Sequence, residues 1–278
     1  MGGDAEKGVS RADGGWRVRV RVMLSLGAGL VAFLAGLAPT VVGAEERWCG
    51  GLYFDHDSFR GTAPAWERWQ SVRASLVREI EEGAIGLEIE RVERFGRSDV
   101  AGALDVYANL WPGSYANLRA RHAPDPEVLP AADWRLEVFQ SLPGGWEASG
   151  SGRLSTVPGP NVAVLGVGIA RYVGAWYLRG LGSVAEVDGA RSGGGAFFAR
   201  RFFVDDGRQF VEAGGGLGGE SVAVGPGPAL DVRDTAFFQV SFQRAVRAPF
   251  GVHATAGAHD FEGVPLRTHI TLGVTARF

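Results

Sequence analysis

The stretch Pro265-Leu-Arg-Thr-His-Ile-Thr-Leu-Gly-Val-Thr-Ala-Arg-Phe278 decides the fold. From Leu266 on, the even positions Leu266, Ile270, Leu272, Val274, Ala276 and Phe278 are apolar, with Thr268 a mild exception. The odd positions are Arg267, His269, Thr271, Gly273, Thr275 and Arg277. Successive side chains of a β-strand point to opposite faces, so this segment is oily on one side and wet on the other.

The same period of two runs backward through the chain. Segments bounded by turn signals fall near 50–57, 66–80, 84–95, 99–110, 114–122, 133–141, 145–156, 162–172, 175–187, 194–203, 208–218, 235–246, 251–261 and 266–278. That is about fourteen strands, with twelve as the competing count because the first segment is short and Ser114 to Ala120 alternates weakly. The pattern is cleanest where Trp146, Ala148, Gly150, Gly152 and Leu154 share one face and Glu147, Ser149, Ser151, Arg153 and Ser155 the other. The 43 glycines, spread without a collagen period, suit strands and tight turns.

Arg17, Arg19 and Arg21, the apolar run Met23 to Val42 and the ending Val42-Gly43-Ala44 form the three parts of a secretory signal. The expected division is therefore a leader over 1–44, cleaved after Ala44, and one domain over 45–278. No later stretch approaches 18 continuous apolar residues. A chain that spans a membrane this way does so as a closed barrel, because hydrocarbon tolerates no unpaired strand edge. The expected fold is thus all-β, a single antiparallel transmembrane barrel in contact with membrane lipid.

Composition removes several other readings. A net charge of −3 is too small to imply a nucleic-acid partner. The single cysteine, Cys49, excludes an internal disulfide framework, and Lys7, in the leader, is the only lysine, so Schiff-base and phosphate-loop chemistry have no residue to use. Gly214, Gly216 and Gly219 match a dinucleotide fingerprint by letter, but Pro226 and Pro228 forbid the helix that must follow. Asp205-Asp206-Gly207 reads as a turn and not a calcium loop.

Two further patterns agree with a barrel. Tight turns at Glu81 to Gly83, Trp111 to Gly113, Leu142 to Gly144, Val173 to Gly174, Asp205 to Gly207 and Arg247 to Pro249 alternate with connections that are often longer, such as Ala123 to Ala132 and Gly219 to Asp234. Counted back from a periplasmic Phe278, these tight turns all fall on the periplasmic side. Trp111, Tyr115, Trp146, Tyr172, Trp176, Phe203, Phe210, Phe250 and Phe278 flank them, as an interfacial belt would. A soluble β-sandwich alternates too, but does not gather aromatics at one set of turns.

The closing segment, with Thr271, Gly273, Ala276 and terminal Phe278, is similar to the strand by which bacterial outer-membrane barrels are recognised for insertion. That likeness implies the barrel assembly machinery as a partner. The middle and end of the chain resemble the YaiO family of outer-membrane β-barrel proteins. The resemblance is carried by Arg94-Phe95-Gly96 with Asp99, Ser141-Leu-Pro-Gly-Gly-Trp-Glu-Ala148, Ala170-Arg-Tyr-Val-Gly-Ala-Trp176 and Arg200-Arg-Phe-Phe203 before Asp205-Asp206. It implies the fold and the location, and it lends no catalytic residue.

Parity selects the residues that line the interior: Glu88, Glu90, Arg135, Glu137, Glu147, Arg153, Arg171, Glu212, Gln239, Gln243, His259, Arg267 and Arg277. Both signs at this density can pair across strands and fill the interior or leave a narrow polar path, and they argue against strong ion selectivity. The histidines make neither a metal site nor a triad. If Glu262 to Val264 is the hairpin loop, His259 lies opposite Arg267 and His269 opposite Gly257, with His253 about 20 Å away along its strand. No cofactor is expected. The expected role is a non-enzymatic, surface-exposed barrel with limited passive conductance; the rival readings are an enzyme acting on outer-leaflet lipid and an open diffusion pore.

Overall fold

The alternating segments pair edge to edge until the last meets the first. The computed structural model describes residues 48–60, 68–157, 161–204, 208–223 and 230–278. The expected leader and the turn at Asp205 to Gly207 lie outside them. The strands are β1 (Trp48–Phe59), β2 (Trp69–Ile80), β3 (Gly83–Arg94), β4 (Arg97–Trp111), β5 (Ser114–His122), β6 (Ala132–Leu142) and β7 (Trp146–Thr156), then β8 (Asn161–Val173), β9 (Trp176–Val187), β10 (Ala190–Phe202), β11 (Phe210–Ala223), β12 (Leu230–Arg247), β13 (Phe250–Phe261) and β14 (Arg267–Arg277). A 3-10 turn, Pro143–Gly145, joins β6 to β7.

Every neighbour is antiparallel, and β1 closes on β14 to give a fourteen-stranded barrel. The seam is tied at its lower end, where Trp48 and Phe278 exchange backbone N–H···O bonds of 3.0 Å in both directions. Strand spacing and a tilt of about 40° give a backbone cylinder of roughly 14 Å radius.

The wall has two chemically opposite faces. On β8, Leu165 and Val167 are each 71% exposed and point outward with Ala163 and Ile169, while Val162, Val164, Gly166 and Gly168 alternate inward. Outward aromatics Trp111, Trp146, Trp176 and Phe250 stand at the lower rim. Tyr115, Tyr172 and Phe210 share that height but turn into the interior. Tyr115 bonds a carboxylate there, Tyr172 packs on Tyr177, and Phe210 lies under Arg200.

Two connections on the outer side are as tight as those below. Phe95-Gly96 (φ 52° and 73°) and Asp188-Gly189 (φ 48° and 81°) hold both central residues at positive φ, the geometry of two-residue hairpin turns that follow the strand twist. The expected loop from Gly219 to Asp234 is also shorter than its composition indicates. Pairing continues from Gly219↔Asp234 up to Ala223↔Leu230, so β11 and β12 rise past the apolar belt. A backbone ladder needs no apolar side chains once it clears the hydrocarbon.

Interior glycines make room for rings. A Cβ on Gly273 would collide with Tyr53, one on Gly214 with Phe198, and one on Gly257 with the imidazole of His269. Each ring occupies the space a Cβ would take on the neighbouring glycine, which helps to fix the register.

Candidate functional site

The interior carries an unusual density of charge, arranged strand by strand. Asp105, Arg119, Arg135, Arg153 and Val164 are successive cross-strand partners on β4 to β8, so three arginines stand directly side by side. Like charges opposed in this way repel. Carboxylates in the same row and in those above and below offset the repulsion. Arg119 reaches Asp105 (2.6 Å) and Glu88; Arg135 reaches Glu137 (3.1 Å); Arg153 clasps Asp133 through Nε (2.8 Å) and a terminal nitrogen (2.7 Å). Farther round, Arg121 pairs with Glu90 (2.9 Å), Arg179 with Glu137, and Arg200 with Glu212 (2.8 Å).

Lower down, Glu147 is buried and accepts hydrogen bonds from the hydroxyls of Tyr115 (2.9 Å) and Tyr177 (2.8 Å). One acceptor thus bridges β5, β7 and β9 on the inner face.

Near the outer end, the connection between β5 and β6 folds inward. Asp99, 4% exposed on the inner face of β4, receives the backbone N–H groups of Glu127 (3.0 Å), Val128 (2.8 Å) and Leu129 (2.7 Å). Leu129 and Ala123 pack on the inward-facing Val92 and Ala101, with Val128 beside them. Pro124, Pro126 and Pro130 stiffen the segment, and its base is pinned by Ala123 N–H to Ala131 O (3.1 Å) and Ala131 N–H to Thr156 O (2.8 Å). This loop covers part of the mouth.

Beside it, between β1–β3 and β12–β14, lies a polar cavity of ≈ 260 Å³ lined by Asp55, Asp57, Arg73, Arg94, Arg267 and His259 among others. Asp55 accepts from Ser71 (2.8 Å) and Thr271 (2.5 Å), and Arg267 lies 3.7 Å from Asp57. His259 is stacked between Phe237 (5.5 Å) and Phe261 (5.9 Å), with His269 edge-on at 5.3 Å. Both phenyl rings lie nearly parallel to that imidazole, and its Nδ1 is buried without a hydrogen-bond partner, which suits packing better than proton transfer. Among the described residues, no group of three or more His, Cys, Asp or Glu is placed to hold a metal ion.

The YaiO membrane beta barrel domain matches residues 50–222. The chain belongs to the YaiO family. It is an outer-membrane protein. No curated protein sequence matches it. Among solved structures, this YaiO barrel is similar to the CymD monoaromatic hydrocarbon channel, with 11% identity over 84% of this chain and 89% of that one and a TM-score of 0.54. A bacterial polysaccharide outer membrane secretin follows at 8% identity over 84% and 99%, TM-score 0.52. Omp33 of Acinetobacter baumannii gives 9% identity over 85% and 100%, TM-score 0.50. At such identities the likeness is one of fold.

The residues expected inside the YaiO barrel fall as follows. Glu88, Glu90, Glu147, Arg153, His259 and Arg267 stand on the inner face in the contacts given above. His259 is paired with Arg267 and His269 with Gly257. Arg171 does not face inward. It shares the face of Leu165, Val167 and Ile169 on β8, is exposed, and lies over the ring of its cross-strand partner Trp146 at 4.9 Å. Its place at the lower rim explains this: a guanidinium can reach the headgroups while its stem rests on the belt tryptophan. Gly273 receives the Tyr53 ring, and Phe278 closes the seam. Arg119, Arg121, Asp133 and Arg179 were absent from the expected lining, although the same parity count extended into β5, β6 and β9 finds them.

Proposed function

We propose that this YaiO barrel is a non-enzymatic, surface-exposed outer-membrane protein with limited passive conductance. The observation that carries the reading is the loop held on Asp99, which folds inward against β3 and β4 and narrows the mouth. The half-exposed guanidiniums of Arg135 and Arg153 support a water-filled space beside it. On the histidine strands, His253 bonds Thr255 (3.1 Å), which bonds Ser241 (2.9 Å), while the nearby carboxylate of Asp55 accepts from Ser71 and Thr271; a carboxylate engaged by hydroxyls in this way favours structure over hydrolysis. The terminal strand, through Phe278, is the element we assign to recognition by the barrel assembly machinery. Planar-bilayer recording of the purified protein in KCl tests the conductance. Small, steady currents are expected; a silent, correctly folded barrel refutes it, and currents as large as those of an open sixteen-stranded porin refute the word limited.

A further inference from the structure

We propose that the interior holds a binding station for organic anions that carry an apolar body. The carboxylate end sits on Arg135 and Arg153, and the body lies on the inner face of β8 and β9. The proposal deepens the conductance reading by naming a solute class, but binding can be measured without passage.

Reach, not charge count, makes the station. Arginines and carboxylates on this part of the wall nearly balance. Yet the side chains of Arg135 and Arg153 are each 51% exposed, whereas their partners Glu137 and Asp133 are 9% and 11% exposed. The acids lie against the wall and the longer guanidiniums extend past them, so a solute entering the bore meets positive groups first. Arg153 commits Nε and one terminal nitrogen to Asp133, and Arg135 one nitrogen to Glu137. A guanidinium has five N–H donors, so each keeps donors for a second oxyanion. As directly opposed cross-strand partners, the two have Cβ atoms about 5 Å apart, a spacing that one carboxylate can bridge.

The neighbouring wall changes character at once. Arg153 is followed across the ladder by Val164, then Ala185. Val162, Gly166, Gly168, Leu181, Ser183 and Val187 complete an inner surface without a charge on β8 and β9 above Arg179, apolar except for Ser183 and for the hydroxyls of Ser149 and Ser151 beside its glycines. It extends about 20 Å along the strands. An inorganic anion would use only the arginines, and a neutral apolar solute only this wall. A molecule with one end of each kind uses both.

The test is equilibrium binding of radiolabelled hexanoate to the refolded full chain in detergent, with acetate and hexylammonium as comparison probes. Hexanoate should bind at least about tenfold more tightly than acetate, and hexylammonium not at all. The R135Q/R153Q variant should weaken hexanoate about tenfold or more. V162T/V164T, which keeps shape and β-branching, should remove the preference over acetate and leave acetate unchanged. Should a variant fail to fold, binding to the unmodified protein must still weaken as KCl rises. Equal hexanoate binding by the wild type and a folded R135Q/R153Q, or salt-independent binding, overturns the station. Conductance recorded in parallel separates the two readings: binding without any KCl current overturns the conductance and leaves the station, and current without hexanoate preference does the reverse.

Discussion

Replacing Asp99 by alanine should release the loop of residues 123–131 from the inner wall. The carboxylate accepts three backbone N–H groups within 3.0 Å, and hydrogen bonds to a charged group contribute about 1.5–3 kcal/mol each. Even the low end gives about 4.5 kcal/mol for the set. With alanine, that contribution is lost and three donors remain beside the wall without an acceptor, each costing about 1–3 kcal/mol if the loop stays docked. What opposes release is chiefly the burial of Leu129, about 1.5–3 kcal/mol. The unmet donors, about 3–9 kcal/mol together, cost as much as or more than the apolar contact contributes, so the balance shifts toward the detached state with the docked one still visited. Single-channel conductance should rise, with transitions between two levels. Asp99→Asn keeps one acceptor oxygen without the charge and should fall between. An independent readout is maleimide labelling of Leu129→Cys in a Cys49→Ser background, slow when Asp99 is present and fast when it is alanine. A folded Asp99→Ala barrel with wild-type conductance and wild-type labelling would refute the reasoning.

Leu165→Arg places a charge against hydrocarbon and should cost about 2–4 kcal/mol, whereas Ser183→Arg on the inner face should fold normally; the heat-modifiable band on a gel distinguishes them. Glu147→Ala strips the shared acceptor from Tyr115 and Tyr177 and should lower stability by about 2–4 kcal/mol in urea titrations, with Glu147→Gln losing less. Phe278→Ala should reduce insertion in cells while leaving spontaneous refolding into detergent intact; equal loss in both would place the residue's role in the seam and not in recognition.

The architecture was readable because hydrocarbon enforces it. A charge on the outer face is costly enough that period-two alternation survives in nearly every strand, and closure follows from the intolerance of lipid for a free edge. What alternation could not give was the length of β11 and β12. Gly219 to Asp234 holds glycines, prolines and charges, so it reads as a loop, yet backbone pairing continues from Gly219↔Asp234 to Ala223↔Leu230. Arg171 and Tyr172 mark the other limit. At the lower rim, the bilayer no longer sorts side chains by polarity, so an arginine can face out on Trp146 and a tyrosine can face in on Tyr177.

The interior was legible as a list but not as a surface. Parity says which residues enter the bore; it does not say how far each extends. Glu137 and Arg135 sit two residues apart on one strand with opposite charges, and by count they cancel. In three dimensions the short carboxylate lies back on the wall, bonded from both sides by Arg135 and Arg179, and the long guanidinium of Arg135 stays in the opening. A mixed lining was expected to argue against selectivity, and it does so only if both signs are equally reachable. Here reach is unequal, so reversal potentials across a KCl gradient should show chloride modestly preferred over potassium. Arg135→Gln with Arg153→Gln should erase that preference, and an unchanged reversal potential in the folded double variant would mean that solutes pass along some other part of the wall.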